Sequence, residues 1–389
     1  MYTKRIIIML LTCFYSVVTV AQNNDNEQKA AANSLQLYNE KKWNELMDYG
    51  KATLAGGTDF PLLRMRTGYA AFMMGNFSES LKQYEMVYKS DNDNKIALYY
   101  CYLNNIYLNN ITSARWYYKL LPEETQSAEK LQKFKLSQVN MEYSYKSPDL
   151  SARGNAQYGR FGLNLQLGYN LELQQSGAFY NQTISEPALT SVNNNRNINI
   201  AQREYYAKLI LAVKGNLAVV GGIHYLYIPF NNFIYNNFVG FGGIKYTSPF
   251  IHVQAMVSLG NIRDTAYTQV DASLTTYPLG NTNLYTITKV AYGNEFTLTQ
   301  VAGLRIVKGV WLEGNVTLGQ YKVLLANDAL YVFDDIDTKK IKAGAGIYAL
   351  IAKKLTVTAN FTYEQKQRYG TSSVIFNQYS TTGGLIWNF

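Results

Sequence analysis

Leu355-Thr356-Val357-Thr358-Ala359-Asn360-Phe361-Thr362-Tyr363-Glu364 alternates apolar and polar side chains without a break. A period of two places one class of side chain on each face of a β-strand. A tilted strand of about ten residues is long enough to cross the hydrocarbon layer of a membrane. The same alternation recurs upstream. Phe161, Leu163, Leu165 and Leu167 alternate with Arg160, Gly162, Asn164 and Gln166, and Ile251, Val253, Ala255, Val257 and Leu259 alternate with His252, Gln254, Met256 and Ser258. Strands of soluble sandwiches and propellers alternate too, but they run nearer five or six residues. Composition agrees with the membrane reading. Only 16% of the 389 residues are charged and 34 are Tyr, whereas a soluble domain carries roughly a quarter charged residues. Beyond residue 21 there is no apolar run of the about 20 residues that a membrane helix needs. Low charge without long apolar runs is what lipid-facing strands with polar inner faces produce.

Turn residues divide the region after Val139 into strands. Short turns are predicted at Gly168-Tyr169-Asn170, Lys214-Gly215-Asn216, Ser248-Pro249, Gly280 to Asn283, Lys308-Gly309 and Lys353-Lys354. Longer or more polar connections are predicted at Ser147–Gly154, Ser185–Asn197, Phe230–Asn236, Arg263–Ala266, Gly293-Asn294, Leu324–Ile336 and Tyr369–Ser372. Together they separate about fourteen strands, an even number as bacterial barrels require. With short turns on the periplasmic side, the first strand starts and the last strand finishes in the periplasm. The chain closes on Thr382-Gly383-Gly384-Leu385-Ile386-Trp387-Asn388-Phe389. These residues resemble the C-terminal assembly signal of bacterial outer-membrane barrels, with Thr382, Gly384, Trp387 and Phe389 in the signal's positions. The resemblance implies recognition by a barrel-assembly machinery.

The N-terminal part has a different period. Lys41-Lys42-Trp43, Gly75-Asn76-Phe77 and Asn109-Asn110-Ile111 begin 34 positions apart (41, 75, 109), and the spacing continues through Leu46, Ser80 and Ala114 and through Gly50, Tyr84 and Tyr118. A period of 34 is that of the tetratricopeptide repeat. The middle copy is the most similar to that family, with Gly68 and Ala71 on its first helix, Gly75 at the turn and Phe77, Ser80 and Tyr84 on its second. Tyr102 stands where the third copy would have the first-helix Gly. Pro122-Glu123-Glu124 opens a predicted capping helix to about Gln138. In this family the first helices line a concave face. The resemblance therefore implies a partner-binding groove of Leu62, Met65, Tyr69, Phe72 and Met73 with Tyr99, Leu103, Ile106 and Tyr107, suited to a hydrophobic protein or peptide segment. Packing between helices is the other use of the same side chains.

Ahead of the repeats, Lys4-Arg5, the apolar Ile6–Val18 and Thr19-Val20-Ala21 read as a signal peptide over 1–21. A short linker, 22–27, is expected to follow. Cys101 is the one cysteine beyond that segment, and a small buried hydrophobe is the expected role. The net charge of +9 comes from scattered Lys and Arg, without the basic stripe that nucleic acid needs.

Little looks catalytic. Two histidines exist; His224 has an inward phase with Gly222 and Leu226, and no nucleophile elbow, zinc-type His pair or phosphate loop accompanies it. No enzyme activity, metal or cofactor is expected. The inward positions carry Arg160, Glu172, Glu204, Lys208, Lys245, Asp271, Lys289, Arg305, Glu313, Lys342 and Glu364. A selective ion pore lines its wall with one sign, so this balance predicts an ion-paired, partly filled lumen, or else a narrow solute pore.

The chain thus reads as an α+β two-domain protein. A tetratricopeptide-repeat solenoid (28–138) precedes a transmembrane antiparallel β-barrel (139–389). The architecture resembles outer-membrane proteins with periplasmic repeats, loosely the YaiO-type barrel group. It implies an outer-membrane location in a Gram-negative bacterium, contact with outer-membrane lipid, and repeats facing the periplasm. The expected function is a non-enzymatic barrel whose repeats recruit a periplasmic partner, in envelope assembly or export of a polymer such as polysaccharide. The alternatives are a passive small-solute channel and a lipid-modifying enzyme.

Overall fold

The computed structural model describes residues 25–185, 197–230, 233–370 and 373–389. The predicted signal peptide and residues 22–24 of the linker lie outside them, as does most of the predicted 185–197 connection. Residues 25–27 are already helical, so the linker prediction does not hold for them.

Seven helices come first: 25–39 (α1), Trp43–Ala55 (α2), Pro61–Met73 (α3), Phe77–Ser90 (α4), Lys95–Tyr107 (α5), Ile111–Leu120 (α6) and Glu123–Glu129 (α7). The 34-residue period is visible in the backbone. Lys41, Gly75 and Asn109 all sit at positive φ (55°, 73° and 59°), the conformation that closes a helix. Asn76 and Asn94 cap α4 and α5, their side-chain oxygens accepting from Glu79 N at 3.1 Å and Ala97 N at 2.9 Å. Gly68 leaves room for the Tyr84 ring, which a Cβ would approach to 3.0 Å. Tyr84 in turn stacks on Tyr100 at 4.4 Å. Cys101 is fully buried, and burial pushes its thiol well above the ordinary range, away from the reactive thiolate.

The fourteen strands run Lys135–Pro148 (β1), Arg153–Gln166 (β2), Leu171–Ile184 (β3), Ile198–Lys214 (β4), Leu217–Phe230 (β5), Phe233–Thr247 (β6), Ile251–Ile262 (β7), Thr265–Thr276 (β8), Leu284–Tyr292 (β9), Phe296–Val307 (β10), Val310–Ala326 (β11), Tyr331–Ala352 (β12), Leu355–Gln367 (β13) and Ile375–Asn388 (β14). Each pairs antiparallel with its sequence neighbours, and β1 on β14 closes the barrel, in register from Gln138↔Asn388 to Pro148↔Gln378. All six predicted short turns join strands at one end, the turn end, where β1 begins and β14 finishes.

Phe161, Leu209, Val257, Leu312 and Phe361 are exposed on the outer face. So wide an apolar surface is costly in water and required in lipid. Closure leaves no strand edge unpaired, the condition for a sheet to span a bilayer.

Three boundaries differ from the sequence reading. The capping helix stops at Glu129 and β1 begins at Lys135, where an irregularity between Leu136 and Gln138 breaks the alternation and hides the start of the strand. Two connections expected to be longer are tight. Strands run through to Phe230 and Phe233, which pair with each other. Arg263 and Asp264, both at positive φ (50° and 58°), make a two-residue turn between β7 and β8, the geometry that suits the twist of a hairpin. Finally, among the described residues, 25–110 with Leu120–Pro122 form one compact unit, while Ile111–Lys119 and those from Glu123 onward form the other. Helix α6 belongs with the barrel by contact. Its Tyr118 ring lies 5.3 Å from that of Tyr169 in the β2–β3 turn. A Cβ on Gly215 in the β4–β5 turn would stand 2.8 Å from the Tyr117 ring.

Candidate functional site

The connection Leu324–Ile336, expected outside the barrel, is folded into it. Strands β11 and β12 stay paired past the rim, from Val323↔Asp334 to Ala326↔Tyr331, and form a hairpin whose tip is 327–330. Three successive residues at positive φ, Asn327, Asp328 and Ala329 (53°, 58° and 55°), reverse the chain there. The bend at its root has a local cause. The β11–β12 register slips on both sides of Tyr321, and Gly319 adopts φ +120°, where a Cβ would collide with the Phe296 carbonyl oxygen.

The hairpin seats on the inner wall of β4–β8 by both packing and polar contacts. Its Leu325, Ala329 and Val332 share a buried cluster with Tyr206, Leu226, Val239, Phe241, Met256 and Tyr267. Its backbone, which would otherwise lose water without replacement, is satisfied by wall side chains. Gln269 Nε2 donates to Leu325 O at 2.7 Å and Leu325 N donates to Gln269 Oε1 at 2.9 Å. The Tyr206 hydroxyl donates to Asp328 O at 3.0 Å. His224 Nδ1 lies 2.6 Å from Ala329 O, and its Nε2 lies 3.1 Å from Glu204 Oε2. Lys208 Nζ holds Asp328 Oδ2 at 3.0 Å, Gln254 Nε2 donates to Asp328 Oδ1 at 2.5 Å, and Lys289 Nζ donates to Asn327 Oδ1 at 2.7 Å.

Two further side chains, Tyr331 and Asp337, tie the hairpin stem across to β1 and β2. The Tyr331 hydroxyl donates to Glu142 Oε1 at 2.9 Å. Arg153 grips Asp337 with Nε and Nη2, each at 2.7 Å from an oxygen, both side chains being buried. Beside the hairpin remains a cavity of about 880 Å³, lined chiefly by polar and charged side chains of β1–β4 and β12–β14.

The residues expected in the lumen divide around this hairpin. Arg160, Glu204, Lys289, Glu313, Lys342 and Glu364 line the cavity. Arg160 pairs with Glu142 at 3.2 Å, and Glu313 accepts from the Tyr285 hydroxyl at 2.7 Å. Glu172 accepts from Gln174 and Asp271 from Gln269, at 2.8 and 2.7 Å. Lys245 faces the Asp328 carboxylate. Arg305 keeps the phase of Gly303, opposite Glu313, but stands exposed at the end of β10, outside the cavity lining.

Sequence reasoning missed Lys146, Arg153, Asp328, Asp335, Asp337, Lys339 and Lys366. Lys366 shares the phase of Glu364 and was within reach. Lys339 was not, because the register shift between Lys339 and Ile341 breaks the alternation. The hairpin also left a signal. Val220, Leu226, Ile228, Val239, Phe241 and Met256 are apolar at inward positions, which a water-filled lumen would not favour, and the connection itself carries Leu324, Leu325, Ala329 and Leu330.

At the closing strand, Thr382 Oγ1 points inward and donates to Ser144 Oγ at 2.8 Å. Gly384 leaves room for Thr358, whose Oγ1 a Cβ would meet at 2.6 Å. Trp387 and Phe389 are exposed on the outer face.

In the helical unit the nine groove residues separate. Leu62, Met73 and Tyr107 are exposed. Tyr69 touches the rings of Tyr38, Trp43 and Tyr100, and Phe72 those of Phe77, Tyr100 and Tyr107, at 5.3–5.9 Å. These two half-buried rings therefore fill an aromatic cluster between helices. Met65, Tyr99, Leu103 and Ile106 are half-buried.

A closed antiparallel sheet with an apolar outer belt and an interior filled by its own hairpin defines a transmembrane β-barrel. The chain matches no family model and no curated protein. Among solved structures it is similar to the translocator domain of the autotransporter NalP from Neisseria meningitidis (12% identity, 73% of this chain and 99% of that one, TM-score 0.32). It is also similar to a Pseudomonas aeruginosa FadL homologue (10%, 66% and 89%, TM-score 0.40) and to the outer membrane protein Omp33 of Acinetobacter baumannii (8%, 65% and 99%, TM-score 0.37).

Proposed function

We propose that the protein is a non-enzymatic outer-membrane barrel whose lumen is held shut by the β11–β12 hairpin. Its helical repeats, which resemble tetratricopeptide repeats, recruit a periplasmic partner in envelope assembly or polymer export, as the YaiO-type resemblance implies. The seated hairpin carries this reading. A barrel closed by six wall side chains acting on one hairpin, Tyr206, Lys208, His224, Gln254, Gln269 and Lys289, is an anchor before it is a conduit. Of the nine expected groove residues, Leu62, Met73 and Tyr107 are the exposed ones and are the side chains that would meet a partner.

In planar bilayers the wild type is expected to show no steady conductance, and a variant with 324–332 replaced by a Gly-Ser loop is expected to conduct. Steady conductance by the wild type would overturn the closed-lumen reading in favour of a passive solute channel, the reading that the cavity beside the hairpin supports. Affinity capture on the full chain tests recruitment: a Leu62→Ala/Met73→Ala/Tyr107→Ala variant should lose the captured protein at unchanged membrane abundance, and equal capture would sink the repeat surface. His224, committed to Glu204 and the Ala329 carbonyl, lends no support to the lipid-modifying alternative.

A further inference from the structure

The cavity beside the hairpin has an uneven charge distribution. Arg153 is matched by Asp337 and Arg160 by Glu142. Towards β13, however, four lysines of the lining, Lys146, Lys339, Lys342 and Lys366, cluster around two carboxylates, Asp335 and Glu364. Both carboxylates are shared by the same two ammoniums. Lys339 Nζ lies 2.5 Å from Asp335 and 3.5 Å from Glu364, and Lys366 Nζ lies 3.3 and 3.5 Å from them. Lys146 and Lys342 have no hydrogen bond or ion pair to any described residue. Their ammoniums instead sit over rings, Lys146 at 5.6 Å from the Tyr180 centroid and Lys342 at 4.4 Å from that of Phe333.

An ammonium withdrawn from bulk water needs a counter-charge. A ring face supplies only part of one. We propose that this end of the cavity is a binding site for a small organic anion, a solute bearing a carboxylate or phosphate, with Lys146 and Lys342 as its ligands. The group's oxygens take charge-assisted hydrogen bonds from the two free ammoniums, while Lys339 and Lys366 hold Asp335 and Glu364 back from the anion. A cavity of about 880 Å³ is ample for a molecule of monosaccharide size. The site rests on the seated hairpin, because Phe333 and Asp335 belong to its stem.

Calorimetric titration of the purified full-length protein at low salt tests it, with D-glucuronate, glucose 6-phosphate and neutral glucose as probes. Both anions should bind and glucose should not, and the ratio of the two affinities tells carboxylate from phosphate. Lys146→Gln/Lys342→Gln should weaken anion binding at least about tenfold, the usual loss when a charge-assisted bond is removed, while Lys354→Gln, at an exposed turn, should leave it unchanged. Equal binding of glucose, an unaffected double variant, or no anion binding up to millimolar concentration each overturns the proposal. Protease resistance of the 327–330 tip in the same sample reports seating separately. A resistant tip without anion binding sinks only this site; a cleaved tip sinks the closed lumen and the site with it.

Discussion

Arg153 and Asp337 show how much a single pair can carry inside this barrel. Their side chains retain 2% and 7% of their exposure and meet through two parallel hydrogen bonds of 2.7 Å. Removing one partner of such a pair leaves a buried charge alone, which costs roughly 3–5 kcal/mol, whereas replacing both by apolar groups is often neutral. Arg153→Ala should therefore lower stability to denaturant by about that amount, and Arg153→Met/Asp337→Leu should recover most of it. If the single and double variants unfold at the same denaturant concentration, the pair is not what holds the hairpin stem against β2. The lumen lysines obey the same physics with a different outcome: Lys339 and Lys366 are satisfied by their own carboxylates, and Lys146 and Lys342 are not.

Among the elements, α6 shows where a repeat gives way to a support. Tyr117 occupies space left by Gly215, and the Tyr118 ring rests near that of Tyr169. Gly215→Val would drive a side chain into the Tyr117 ring, an overpacking that costs about 1–3 kcal/mol. It should expose 119–123 to limited proteolysis while the barrel stays closed. An unchanged cleavage pattern would show that α6 does not depend on this contact. The strands were readable because burial on one face and lipid on the other impose a period of two, and the first-helix ends because Lys41, Gly75 and Asn109 repeat at one spacing. The hairpin was not. Residues 324–336 mix Leu, Asp and Tyr without a period, and the wall that receives them lies on strands whose contacting residues stand 38 to 122 positions earlier. Local pattern can say that inward Val220, Leu226 and Phe241 need a cover; it cannot say which segment covers them. For Tyr69 and Phe72 the sequence left open groove or packing for a related reason, since helix phase gives a direction and not the rings already waiting there.

For the whole molecule, the decisive joint is β1 on β14. Phe389 N donates to Ser137 O at 3.1 Å and Lys135 Nζ donates to Phe389 O at 2.7 Å, so the last residue is a rung of the closing ladder as well as an aromatic on the outer face. Deleting Phe389, or Phe389→Ser, should leave the chain synthesised but largely unassembled. Heat-modifiable electrophoretic migration together with surface labelling would measure this, and normal behaviour in both would show that closure does not need the terminal ring.

That same joint is remote from the hairpin. The tip rests on residues 38 to 122 positions away, Lys289 and Tyr206 at the two extremes, on strands β4 to β9. Sealing the cylinder and stoppering it are separate events. A change in gel mobility registers the first and is blind to the second, so a preparation refolded in detergent can run as one band and still contain two species, one corked and one with its cork hanging in solvent.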